Sequence, residues 1–84
     1  MQSARVGNDR YVAQLVEAEW GVREINGLID RQRELIEELE ERRFDLTSAK
    51  IVLDSFIVTL TLYLQERHRL RAVSNAKITE AAAA

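Results

Sequence analysis

IVLDSFIVTLTLYL, residues 51–64, places ten large apolar side chains in fourteen positions. A strand of that length would be far longer than usual and would find no partner strand in the chain. Asp54, Thr61, Gln65 and His68 follow one another at steps of seven, four and three, so they share one narrow face of a helix. A core-facing helix normally shows about three apolar positions in seven, or roughly six in fourteen. About four large side chains are left over. At about 1.5–3 kcal/mol each, leaving them in water forfeits roughly 6–12 kcal/mol, which rivals the whole stability of a small domain. A second copy of the chain, another protein or a membrane must cover them.

Outward from this stretch, the helix is expected over about 48–74, with Leu53, Phe56, Leu60, Tyr63 and Leu70 as its seam and Ile57 and Leu64 beside it. Before it, FDLTS at 44–48 offers Asp45, Thr47 and Ser48 as helix N-caps where a charged pattern gives way to an apolar one. A hairpin turn is expected there. No Gly or Pro marks it, so a single helix running through 44–48 is the competing reading.

A first helix is expected over about 9–44, capped by Asn8 or Asp9. Tyr11, Leu15, Ala18, Val22, Ile25, Ile29, Gln32, Ile36, Leu39, Arg43 and Leu46 alternate steps of four and three, the spacing of a coiled-coil seam. Leu28 and Leu35 widen it. The opposite face carries i,i+4 pairs such as Glu19 with Arg23 and Glu38 with Arg42, so its charges read as a solvated surface. Asn26-Gly27 is a turn dipeptide, and a break there would give a three-helix bundle. Val22, Ile25 and Ile29 keep phase across it, which favours one continuous helix. Residues 1–8 read as a flexible arm, 9–75 as the hairpin domain, and 76–84 as a tail or helix extension.

With no Pro, no Cys, three Gly and 31% charged residues, the composition is that of a long-helix, all-α protein. At 84 residues a single core is marginal, and without disulfides or a metal cluster, oligomerisation is the remaining device. The net charge of -2 gives no strong global field for nucleic acid. It hides an asymmetry, since residues 1–45 carry seven Lys/Arg against eleven Asp/Glu and residues 46–84 five against three. MQSARVGND has no apolar core of a secretory signal, so a cytoplasmic location is the expectation. As a membrane span, residues 51–64 would reach about 21 Å against a hydrocarbon core of about 30 Å, with Asp54 inside it, so no span is expected.

No constellation for catalysis, cofactor or metal emerges. There is one His, no Gly-rich phosphate loop and no Glu-x-x-His pair, and Gln65 stands three residues before His68. A solvent-facing His on a dimeric helical hairpin resembles the phosphoacceptor of two-component histidine kinases. However, Gln65-Glu66-Arg67-His68-Arg69-Leu70 lacks the Glu and the later Pro that typically follow that family's His. His68 is therefore read as a surface residue. The chain is expected to be no enzyme and to need no small-molecule ligand.

Two features bear on partners. Val12, Val16 and Trp20 form a second apolar stripe at i,i+4,i+8, expected to be covered by Val73 and Ile78 of the hairpin's far end or of a second copy, and otherwise a partner site. Arg67, Arg69 and Arg71, with Arg5, Arg10 and Lys77 near by, make one end of a hairpin basic, against an acidic end at Glu34, Glu37, Glu38, Glu40 and Glu41. The expectation is a long antiparallel hairpin dimerising into a four-helix bundle through Ile51, Phe56, Ile57, Val58, Leu60, Leu62, Tyr63 and Leu64. It would act as a scaffold or adaptor towards a protein partner. The alternative is a nucleic-acid-associated regulator using the basic end.

Overall fold

The structure, a computed structural model, describes the backbone of residues 2–83 and the side chains of residues 10–76. Two helices, α1 (Gln2–Glu41) and α2 (Thr47–Ala83), lie side by side as a hairpin 64 Å long and 20 by 14 Å across. It is one helix thick, so each helix has a single neighbour.

The seam is where the heptads put it. Ala18, Val22, Ile25 and Ile29 of α1 and Ala49 and Leu70 of α2 are buried. Tyr11, Leu15, Ile36 and Leu39 lie half-buried on the α1 side, and Leu53, Phe56, Leu60 and Leu64 on the α2 side. Gln32, a polar member of the seam, donates from Nε2 to the carbonyl of Ala49 at 2.9 Å. A polar seam residue satisfied in only one alignment favours that alignment.

Asn26-Gly27 stays helical, which removes the three-helix alternative. A glycine inside a helix costs about 1 kcal/mol. A turn there would pull Val22, Ile25 and Ile29 out of one buried row, at about 1.5–3 kcal/mol for each side chain exposed. The helix starts earlier than its cap signal suggests, at Gln2 rather than near Asp9, so the segment 1–8 expected as an arm is helical from residue 2. No proline stands in its way. At the other end α2 continues past Ser74 to Ala83 along the alanine run, which is helix-permissive.

The connection is real, and it falls slightly earlier than expected, over residues 42–46. Helix α1 ends in a Schellman motif. Phe44 N–H donates to the Leu39 carbonyl at 2.9 Å and Arg43 N–H to the Glu40 carbonyl at 3.0 Å, with Arg43 in the left-handed region at φ 60°. Arg43 and Leu46, assigned to the α1 seam by spacing, thus belong to the connection, and Arg43 is exposed. Helix α2 is started by Asp45, whose Oδ1 accepts from the Thr47 N–H at 3.0 Å and from its hydroxyl at 2.7 Å. The first bond satisfies one of the donors a helix N-terminus leaves orphaned. Those two bonds, the backbone one foremost, hold the Asp45 carboxyl below its ordinary pKa.

Candidate interaction surface

Two grooves run between the helices, and they differ in kind. Along one, Arg33, Glu37, Lys50 and Asp54 stand around Ile36 and Leu53, and Arg71 reaches Glu19 across the hairpin at 2.6 Å. Ile57 follows Lys50 by seven residues and Asp54 by three, so it continues the edge of this charged groove.

Along the other, the Tyr63 ring sits on Gly21, and Gln14, Glu17 and Glu66 stand near it toward the open end. Leu28 and Leu35 follow Gly21 at steps of seven and carry the same edge toward the turn, where both are exposed. Val52 and Thr59 precede Glu66 at steps of seven on the facing edge. The edge positions Gly21, Leu28 and Leu35 and, facing them, Val52 and Thr59 are uncharged residues.

Apolar surface continues around the outside of α2, with Asp54 at its edge. Ile51, Val58 and Leu62 are 60%, 59% and 60% exposed, and Ile51, Asp54, Ser55 and Val58 line a shallow depression there. Large apolar residues of α2 lie on its seam and also on its outer side, interrupted by the polar row Asp54, Thr61, Gln65 and His68 and by Lys50 and Arg71 at the charged edge. A second exposed apolar row on a helix marks an interaction surface. The hydroxyls on α2 do not oppose burial. Ser55, Thr59 and Thr61 donate to the carbonyls of Ile51, Ser55 and Ile57 at 3.0–3.1 Å, so each donor is satisfied within its own helix.

Of the eight residues expected at a dimer interface, Ile51, Ile57, Val58, Leu62 and Tyr63 are exposed, while Phe56, Leu60 and Leu64 are half-buried on the α1 side. Ile57 is separated from the rest on the charged side. Leu28 and Leu35, expected to widen the α1 seam, are instead exposed, and spacing does not single out Val52; the exposure of all three depends on how far one helix is rotated against the other.

Val12, Val16 and Trp20 remain open, Trp20 at 61% exposure. Val73 is half-buried without covering it, because Trp20 lies on the outer side of α1, away from α2; Ile78 lies outside the described side chains. At the basic end, Arg69 makes a paired bond with Glu66 at 2.6 and 3.0 Å. This bond pulls the Glu66 carboxyl below its ordinary value and pushes Arg69 up. Arg71 is held by Glu19, and Arg67 is half-buried. Arg10 is exposed, while Arg5 and Lys77 lie outside the described side chains. His68 is exposed. Among the described residues no group of three or more His, Cys, Asp or Glu is arranged to hold a metal ion.

By length and composition, Thr47–Ala76 contains an 18-residue window apolar enough to cross a membrane, with mean hydropathy 1.4. That window includes Lys50 and Asp54, and its seam side packs on the charged helix α1. No protein-family model matches the chain, and no curated protein or solved structure matches it.

Proposed function

We propose that the protein is a non-enzymatic helical scaffold or adaptor that works as a homodimer, two hairpins forming a four-helix bundle. The observation that carries this reading is the exposed apolar row Ile51, Val58 and Leu62 on the outer side of α2, which α1 leaves uncovered. A second hairpin covers that row with apolar groups, and the self-bonded hydroxyls of Ser55, Thr59 and Thr61 enter that interface without losing a partner. The dimer then presents Val12, Val16 and Trp20 on its outside, a stripe suited to a further protein partner.

The competing occupant of α2 is a lipid bilayer, which its length and hydropathy favour. Against it, insertion would strip α2 from α1 and place Asp54 in hydrocarbon at a cost of about 2.5–3.5 kcal/mol. A nucleic-acid role is less supported, because Glu66 and Glu19 already engage Arg69 and Arg71. Sedimentation equilibrium and melting at several protein concentrations test the reading. The expected result is twice the 9.7 kDa chain mass, with a melting temperature that rises with concentration. A folded monomer with a concentration-independent melt overturns it, and co-flotation with neutral vesicles would put the membrane in its place.

A further inference from the structure

On the outer side of α2, Ile51, Ser55, Val58 and Leu62 are spaced four, three and four, a pattern that reads the same in both directions. Such a row, common to heptad stripes, suits an antiparallel two-fold pairing, in which residue i of one copy meets residue j of the other and j meets i. Resting on the homodimer reading, the geometry points to an antiparallel pairing of α2 with α2 of a second copy, with the axis midway between Ser55 and Val58. Ile51 then lies opposite Leu62 of the second copy, and Ser55 opposite its Val58. The small Ser55 leaves room for the exposed Val58.

Three observations support a second copy as the occupant. The first is extent. With Val52, Tyr63, Leu28 and Leu35 alongside, this surface holds seven large apolar side chains that are 37–60% exposed, an apolar patch of the kind that marks a protein interface. The second is the absence of charge on the paired positions. Asp54 is exposed and lies where the depression by Ile51 and Val58 meets the charged groove, so its carboxylate stays at the rim, in water.

The third is charge at the two ends. Gln32 stands level with Ala49, and Gly21 with Tyr63, so an axis between Ser55 and Val58 crosses α1 near Asn26 and Gly27. Rotation about it carries the acidic turn end, Glu34 to Glu41, to the height of Arg67 on the second copy, with Arg69 and Arg71, already engaged by Glu66 and Glu19, at the same level. A parallel pairing would instead bring acidic end to acidic end.

The chain has no cysteine of its own, so single spin labels report the arrangement directly. Ser48→Cys and Thr61→Cys change exposed positions conservatively, and neither lies in the paired row. With a rise of 1.5 Å per residue, dipolar distances should be about 25–30 Å between labels at 48 and roughly 15–20 Å at 61. Equally short distances at both positions mean a parallel pairing, and long distances at both mean a different face; either overturns the arrangement while leaving the dimer standing. No dipolar signal together with a monomer mass overturns the homodimer reading itself.

Discussion

The ring of Tyr63 lies so close over Gly21 that a Cβ on the glycine would stand 2.5 Å from one ring carbon and 2.7 Å from two others. Gly21 is thus a contact point between the helices. At Gly27 a Cβ would meet only the end of Arg31, at 3.9 Å. Replacing a helical glycine by alanine gains about 1 kcal/mol, whereas overpacking costs about 1–3 kcal/mol. Gly27→Ala should therefore stabilise the fold by about 0.5–1 kcal/mol. Gly21→Ala should destabilise it by about 1 kcal/mol, the ring being 38% exposed and able to swing partly aside. Removing the ring with Tyr63→Ala in the Gly21→Ala background should recover the helix gain, and additive effects of the two changes in urea melts would refute the contact.

Arg43 is the C′ residue of α1 and adopts φ 60°. Its side chain is exposed, so the left-handed backbone is costly without compensation from packing. Arg43→Gly should stabilise the hairpin by about 0.5–1 kcal/mol, the steric relief exceeding the added freedom of the unfolded chain. A lower denaturation midpoint would mean that the guanidinium makes a contact worth more than the strain.

Asp45 has a carboxyl pKa lowered by its bonds from the Thr47 N–H and hydroxyl. The unfolded chain therefore holds that proton more tightly than the folded one. The stabilisation is fully present above the ordinary carboxylate pKa and is lost as pH falls through the lowered folded value. Asp45→Ala should reduce the denaturation midpoint at neutral pH, and the gap to the unaltered protein should close in acid. A gap of constant size across the acid range would show that ionisation of Asp45 is not involved.

Val58 and Ile57 are neighbours in sequence on different sides of α2, Val58 on the outer face beside Ile51 and Ser55, Ile57 seven residues after Lys50 on the charged edge. If the dimer forms through the outer face, Val58→Glu buries an unpaired carboxylate and should raise the dissociation constant at least a hundredfold, about 2.7 kcal/mol. Ile57→Glu should raise it less than tenfold. Analytical ultracentrifugation of both variants separates them, and the reverse order would move the interface to the Lys50 and Asp54 side.

The heptad row from Tyr11 to Leu39 was legible because periodicity is a property of one helix and needs no knowledge of its neighbour. The same holds for the capping chemistry of Asp45 and for the excess apolar surface of residues 51–64. What only the tertiary structure decided is the rotation of each helix against the other. That rotation sets Gly21 under Tyr63, leaves Leu28, Leu35 and Val52 exposed along that edge, and puts Ile57 on the edge of Lys50 and Asp54. It also turns Trp20 away from α2 and ties Arg71 to Glu19. A seam several residues wide tolerates rotations of tens of degrees with the same side chains inside, so periodicity alone does not choose among them. Packing of particular shapes, a ring against a glycine and an amide against a carbonyl, makes the choice.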